Sequence, residues 1–207
     1  MDATVVEHPL AQHLLLALRD SRTEPSRFRA ITKRLTVVLM LEAARDLPTH
    51  AGSIETPLGR AEGMLLDRPI VTVPILRAGL GMLDAVVDLF PAVRVGYLGL
   101  QRDEATFKPS EYYANLPRME DAYTFVLDPM LATGGSASVA VEQVKAAGAP
   151  WVRMVAVVAA PEGVAKLHTS HPDVAIYTAA IDKGLDANAY IVPGLGDFGD
   201  RLFGTEP

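Results

Sequence analysis

Residues 122–137 read AYTFVLDPMLATGGSA, and the fold class follows from this stretch. The run from Tyr123 to Leu127 is apolar on both faces, as a strand covered on both sides of a sheet requires. A turn of small residues follows, and helix-compatible sequence then continues to Ala147. Strand, turn and helix in this order open a βαβ unit. Gly134 and Gly135 let a ligand approach the backbone closely, and Thr133 and Ser136 offer hydroxyls. The helix that follows directs free N–H groups and its positive dipole end at the turn. A phosphate monoester fits such a turn. Asp128, at the strand end, is suited to accept hydrogen bonds from sugar hydroxyls or to stabilise positive charge developing on a ribose ring. The combination is a sugar-phosphate pattern; a turn that uses Gly and Ser for geometry alone is the alternative.

Moving outward, apolar strand-like runs recur at 70–76 (IVTVPIL), 93–100 (VRVGYLGL), 152–160 (VRMVAVVAA) and 174–181 (VAIYTAAI). Helical candidates at 79–89, 136–147 and 161–169 fill the gaps. This alternation predicts an α/β fold with a mainly parallel sheet flanked by helices, and such sheets bind ligands at the carboxyl ends of their strands. Residues 8–20 and 27–46 read as helices, with Phe28, Ile31, Leu35, Val38 and Leu39 at three- and four-residue steps and Pro25 suited to the first turn. After a breaker run at 48–52, the segments 53–58 and 61–66 read as a hairpin closed near Pro57 to Gly59. Arg102 to Arg118 and Asp182 to the C-terminus fit no regular period, and irregular segments of this length in a compact domain are usually functional loops.

Composition bounds the chemistry. The 207 residues carry a net charge of −6, 49% hydrophobic residues and no cysteine. This suits one domain over 1–207 with a full core, made of a helical part at about 1–48, a core at about 69–181 and a C-terminal element at about 182–207. The acidic balance gives no global reason to bind nucleic acid or an anionic membrane. Disulfides, Cys-zinc sites and thiol nucleophiles are excluded, and a cytoplasmic location is expected. The histidines form no HExxH and read as surface residues; Met64, Met82, Met130 and Met154 read as packing residues.

The string Asp128-Pro129-Met130-Leu131-Ala132-Thr133-Gly134-Gly135-Ser136 resembles the phosphoribosyl pyrophosphate (PRPP) loop of type I phosphoribosyltransferases. The wider family usually carries two successive acidic residues here; Pro129 matches the uracil phosphoribosyltransferase branch. Pro74 to Gly81 resembles the turn that contacts the donor's pyrophosphate, which implies that role for Arg77 and raises a strained peptide beside it. Gln101-Arg102-Asp103-Glu104, followed by Lys108-Pro109 and Tyr112-Tyr113, resembles the active-site flap, with Arg102 reaching the leaving pyrophosphate. Taken alone, that loop also reads as a solvated hairpin. The run Tyr190 to Thr205 holds a formal G-x-G-x-x-G, but no βαβ unit follows it, so the dinucleotide reading fails. It resembles instead the family's uracil-binding hood, which implies Ile191, Gly196, Asp197 and Phe198 as pocket residues read through the backbone, with Asp197 also facing the ribose or its metal.

The resemblance covers nearly the whole chain. It implies conversion of uracil and PRPP to UMP and diphosphate in pyrimidine salvage, with Arg102, Asp128 and Asp197 nearest the chemistry and Mg²⁺ held mainly by the donor's oxygens. It also implies a homodimer or larger homo-oligomer and raises a purine nucleotide such as GTP as activator. Many relatives carry Ala at position 198, so Phe198 keeps a phosphoribosyltransferase for another base as an alternative. An RNA-binding pyrimidine regulator of the same fold is the other.

Overall fold

The computed structural model describes residues 3–102 and 109–205. Strand β1 (Ala3–Val5) precedes helices α1 (Pro9–Arg19) and α2 (Pro25–Ala43), then a ribbon of β2 (Thr49–Thr56) and β3 (Gly59–Leu66). The core continues with β4 (Ile70–Leu76), α3 (Leu80–Leu89), β5 (Arg94–Val95), β6 (Tyr97–Arg102), β7 (Pro109–Asn115), β8 (Tyr123–Leu127) and β9 (Met130–Leu131). It ends with α4 (Gly135–Ala146), β10 (Trp151–Ala159), α5 (Pro161–Ser170), β11 (Ala175–Ile181), β12 (Gly184–Leu185), β13 (Ile191–Val192) and α6 (Phe198–Phe203).

The main sheet runs β1-β11-β10-β8-β4-β6-β7, with β5 beside β4 and β9 beside β10. Its pairings are parallel except β6 with β7. Chain order reverses between β4 and β8: β6 lies on one side of β4, while β8, β10 and β11 lie on the other. A crevice opens at such a switch point, outside the carboxyl ends of the strands. Arg77 and Asp128 are the first residues beyond β4 and β8, so both stand at this crevice.

Side chains alternate across each strand and fill one core on each face. Phe125, Leu127, Val155 and Val157 pack with Leu18, Phe28, Leu35, Leu39, Met82 and Phe198 on the side of α1, α2, α3 and α6. Val73, Val126, Met154 and Ala156 pack with Leu98, Ala137, Val141 and Leu167 on the side of α4 and α5. The apolar-on-both-faces reading of the central strands therefore holds.

Several local expectations change. The 93–100 run is two strands, because the chain breaks at Gly96, whose N–H donates to Thr72 C=O at 2.9 Å. A side chain at Gly96 would stand 2.8 Å from Pro117. The segment expected to be irregular from Arg102 to Arg118 contains β7, which pairs antiparallel with β6 from Tyr97↔Asn115 to Arg102↔Pro109. That is the hairpin alternative; the part of the expected flap at 103–108 lies outside the described residues. The ribbon starts at Thr49, inside the expected breaker run, since its residues lean on each other rather than on a core. Three residues in β1 are too few for a periodicity signal, so this strand was not expected.

Candidate active site

The two small-residue motifs meet at the carboxyl edge of the sheet. Gly79, just beyond β4, sits so close to β8 that an added Cβ would stand 2.6 Å from Leu127 C=O and 2.7 Å from Ile75 N and C=O. All three are backbone atoms, so only glycine allows this approach. The turn carrying Arg77 is thereby locked against the residue that precedes Asp128. Arg77 itself is exposed, and the Leu76–Arg77 peptide bond is cis, an unusual peptide at the position where the sequence raised one.

The 128–136 turn is fixed from behind by the sheet. Pro129 C=O accepts from Val157 N and Val158 N at 3.0 Å each, and Leu131 C=O accepts from Ala160 N at 2.9 Å. Gly134 (φ +75°) caps α4, and a Cβ there would stand 2.7 Å from Gly163 C=O. Gly163, on α5, would in turn bring a Cβ within 2.5 Å of Ala132 C=O. Glycines thus face each other across the loop and α5. Thr133 Oγ1 accepts from Gly135 N at 3.4 Å, and Ser136 is half-buried in the first turn of α4. The free N–H groups at the start of α4 point to where an anion is favoured.

Asp128 is half-buried, and Met130 N donates to its Oδ1 at 3.4 Å. Desolvation pushes the carboxyl up to about 7, and the Met130 bond lowers it only in part. The residue is therefore poised to take or lose a proton near neutrality. Ribose hydroxyls donating to the carboxylate favour its charged form.

A cleft of about 260 Å³ joins this loop to the C-terminal element, lined by Met130, Ala132, Ile191, Gly196, Asp197 and Phe198, with Asn188, Ala189 and Tyr190 along its rim. This is a small space, suited to one planar ring more than to a drug-sized ligand. All four residues expected from the C-terminal run line it. Phe198 is 2% exposed, and its ring meets Phe28 edge-on at 5.0 Å. Phe198 thus both lines the cleft and packs its ring against the core residue Phe28. Asp197 is exposed and caps α6, its Oδ1 accepting from Asp200 N at 2.9 Å. Arg77 does not line this cleft, and Arg102 ends β6 beside β4.

Sequence reasoning missed the rim. Asp186 Oδ1 accepts from Asn188 N at 2.9 Å and Tyr190 N at 2.8 Å, holding Ala189 at φ +64°. Glu162 Oε1 accepts from Leu185 N at 3.2 Å, tying this hood to α5. The Asp-x-Asn spacing at 186–188 was the available signal, since Asp often caps a turn two residues ahead. Among the histidines, His8, His13 and His50 are exposed as expected, but His171 is half-buried with Nε2 at 3.0 Å from Ser138 C=O, and His168 is half-buried. Met82 and Met154 are buried; Met64 is exposed on the ribbon, and Met130 lines the cleft.

Comparison with known proteins gives one answer. The profile of the family described as uracil phosphoribosyltransferase matches residues 5–205. The uracil phosphoribosyltransferase of Dictyoglomus thermophilum is 49% identical, covering 98% of this chain and 99% of its own length. That of Pediococcus pentosaceus is 48% identical, covering 98% of both chains. A solved protein from Aquifex aeolicus superposes with a TM-score of 0.93 at 36% identity, covering 97% of each chain. The adenine phosphoribosyltransferase of Trypanosoma brucei superposes with a TM-score of 0.60 at 11% identity over 94% of this chain and 87% of its own, a likeness of fold alone.

Proposed function

This chain belongs to the uracil phosphoribosyltransferase family and is a pentosyltransferase that makes UMP and diphosphate from uracil and PRPP; from that premise we propose how its residues divide the work. The observation that carries the proposal is the single cleft shared by Met130 and Ala132 of the phosphate loop and by Ile191, Gly196, Asp197 and Phe198 of the hood. A base in the hood and a ribose phosphate on the loop are then neighbours, as a bond between them requires.

In this reading the turn from Ala132 through Thr133, Gly134 and Gly135 to Ser136 takes the 5′-phosphate, supported by the N–H groups opening α4. Pro129, Met130 and Leu131 set the distance between that anchor and Asp128. Arg77 and Arg102 hold the diphosphate, and Asp128 and Asp197 lie along the ribose. The bond from ribose C1 to diphosphate breaks as the ring nitrogen of uracil bonds to C1, the bonding pair leaves with the diphosphate, and the ring proton passes to the diphosphate or to solvent. Positive charge develops on the ribose, and an ionised Asp128 stabilises it. No protein nucleophile is required.

Among the described residues no three His, Asp or Glu side chains gather as a metal-binding group. Mg²⁺ fits such a site when most of its oxygen ligands come from substrate phosphates, with Asp197 as a protein contributor. Bound there, Mg²⁺ would supply positive charge beside the departing diphosphate. The packing of the Phe198 ring on Phe28 is compatible with a hood that reads the base through its backbone, and the choice of uracil over another base rests on the family match.

The β2–β3 ribbon supports a homo-oligomer. An isolated two-stranded ribbon is marginal in water, yet this one exposes Ile54, Met64, Leu65 and a fully open Leu58. We take a second copy of the chain as what covers it. Activation by GTP and a cytoplasmic setting, both expected from the sequence, complete the proposal; among the described residues no helix is long and apolar enough to cross a membrane.

The test is a mass-spectrometric product assay with PRPP, Mg²⁺ and an equimolar mixture of uracil, cytosine, hypoxanthine, guanine, adenine and orotate, run with and without GTP. UMP alone is expected. A different nucleotide would overturn the assignment of the hood to uracil.

A further inference from the structure

We propose that Arg19 and Asp182, assisted by Arg201, are positioning residues that hold the backbone of the hood at the register a base needs; this rests on the uracil reading of the cleft. Arg19 is the last residue of α1, and Asp182 is the first beyond β11. Their side chains are 20% and 7% exposed and meet through two parallel bonds, Nη1 to Oδ2 at 2.8 Å and Nη2 to Oδ1 at 2.6 Å. Gly194 closes the group. Its N–H donates to Asp182 Oδ2 at 2.9 Å, and its C=O accepts from Arg19 Nη1 at 2.7 Å.

Both polar groups of one loop residue therefore end on one largely buried ion pair. Gly194 has φ +55°, and a Cβ there would collide with the Ile191 carbonyl, so the chain takes this path only with glycine. At the next residue, Leu195 C=O accepts from Arg201 Nη1 at 2.8 Å. Arg201 also donates to Leu18 C=O and Asp20 C=O at 2.5 and 2.6 Å, and its guanidinium lies 4.6 Å from the centre of the Phe28 ring. Two arginines thus bind residues 194 and 195 from the rear, and Gly196 and Asp197 face the cleft from the front.

The consequence is specific to backbone recognition. A base read by main-chain groups has no side-chain rotamer to correct a misplaced loop, and a displacement of about 1 Å at such a site costs roughly 100-fold in rate. The planar Arg fork serves a carboxylate and a carbonyl at once; Lys, with a single ammonium, does not reproduce that geometry.

The test compares wild type with Arg19→Lys and Asp182→Asn, measuring uracil KM, kcat, PRPP binding by calorimetry and thermal midpoint. Uracil KM is expected to rise about tenfold in each variant, the loss typical of one or two charge-assisted bonds. PRPP affinity is expected to fall by less than the rise in uracil KM, because Asp197 alone of the hood faces the donor while the phosphate loop is held by β10 and α5. The double variant should be little worse than either single one. Unchanged uracil KM, or losses in uracil and PRPP that follow a fallen midpoint together, would overturn the positioning role. Should Arg19→Lys fail to fold, Arg201→Lys carries the same expectation and the same refutation. Wild-type protein that made no UMP would sink the uracil reading and this role together; active wild type with indifferent variants would sink this role alone.

Discussion

Asp128→Asn should make the protein more stable at pH 8 and nearly inactive. The carboxyl is pushed from 3.8 up to about 7, with desolvation as the main cause. Below pH 3.8 the folded and unfolded chains both carry the proton. Between 3.8 and about 7 only the folded chain does, so each rise in pH favours unfolding; above about 7 the full cost stands. Roughly three pH units at about 1.4 kcal/mol each bound that cost at about 4 kcal/mol. Asp128 is only part-buried, so solvent screens its charge and about 2 kcal/mol is the working figure. In a chain of this size that corresponds to about 4–8 °C in midpoint. Asn keeps an oxygen for the Met130 N–H and removes the titration. Scanning calorimetry from pH 5 to 8 should therefore find the variant gaining on wild type as pH rises, most steeply between about 5 and 6.5 and levelling off above about 7. UMP formation should fall about 100-fold with the lost charge stabilisation. A midpoint difference independent of pH, or unchanged kinetics, would refute the reasoning.

Other substitutions test other parts of the site. Gly79→Ala forces a Cβ against three backbone atoms and should lower stability by about 1–3 kcal/mol while weakening PRPP binding, read by thermal melts and calorimetry. Phe198→Ala should cost about 3–5 kcal/mol through the cavity left beside Phe28, yet keep uracil as the preferred base in a competition assay. Ile54→Lys with Met64→Asp on the ribbon should shift sedimentation towards monomer without changing secondary structure by circular dichroism. Proton release on PRPP binding, measured by calorimetry at pH 7 in buffers of different ionisation enthalpy, should approach half a proton per site in wild type and vanish in Asp128→Asn.

What the sequence revealed and what it hid have physical reasons. The central strands were legible because burial on both faces removes polar residues from them, as at Tyr123–Leu127. The phosphate turn was legible because its chemistry sits in consecutive residues, 128–136. The β1 strand escaped because three residues carry no period, and β7 was legible only as a solvated-hairpin alternative because Tyr112 and Tyr113 are exposed on an edge where no apolar alternation is required. The hood's supports escaped for a different reason. Arg19 and Asp182 are 163 residues apart, and an arginine ending an amphipathic helix looks like any solvated charge until its partner is known. The contact of the Phe198 ring with Phe28 was not legible either, since the two residues are far apart in the chain.

The lacing of α1 to the last helix also sets a timetable for the nascent chain. Leu18 and Arg201 are 183 residues apart, which at about 5–20 residues per second is roughly 10–40 s of synthesis. Through that interval Phe28, on α2, waits for the Phe198 ring that covers it. An apolar surface held open this long is what a chaperone binds or an aggregate recruits. A chain released after truncation at residue 190 should thus leave Phe28 uncovered, bind a hydrophobic dye and hold no base.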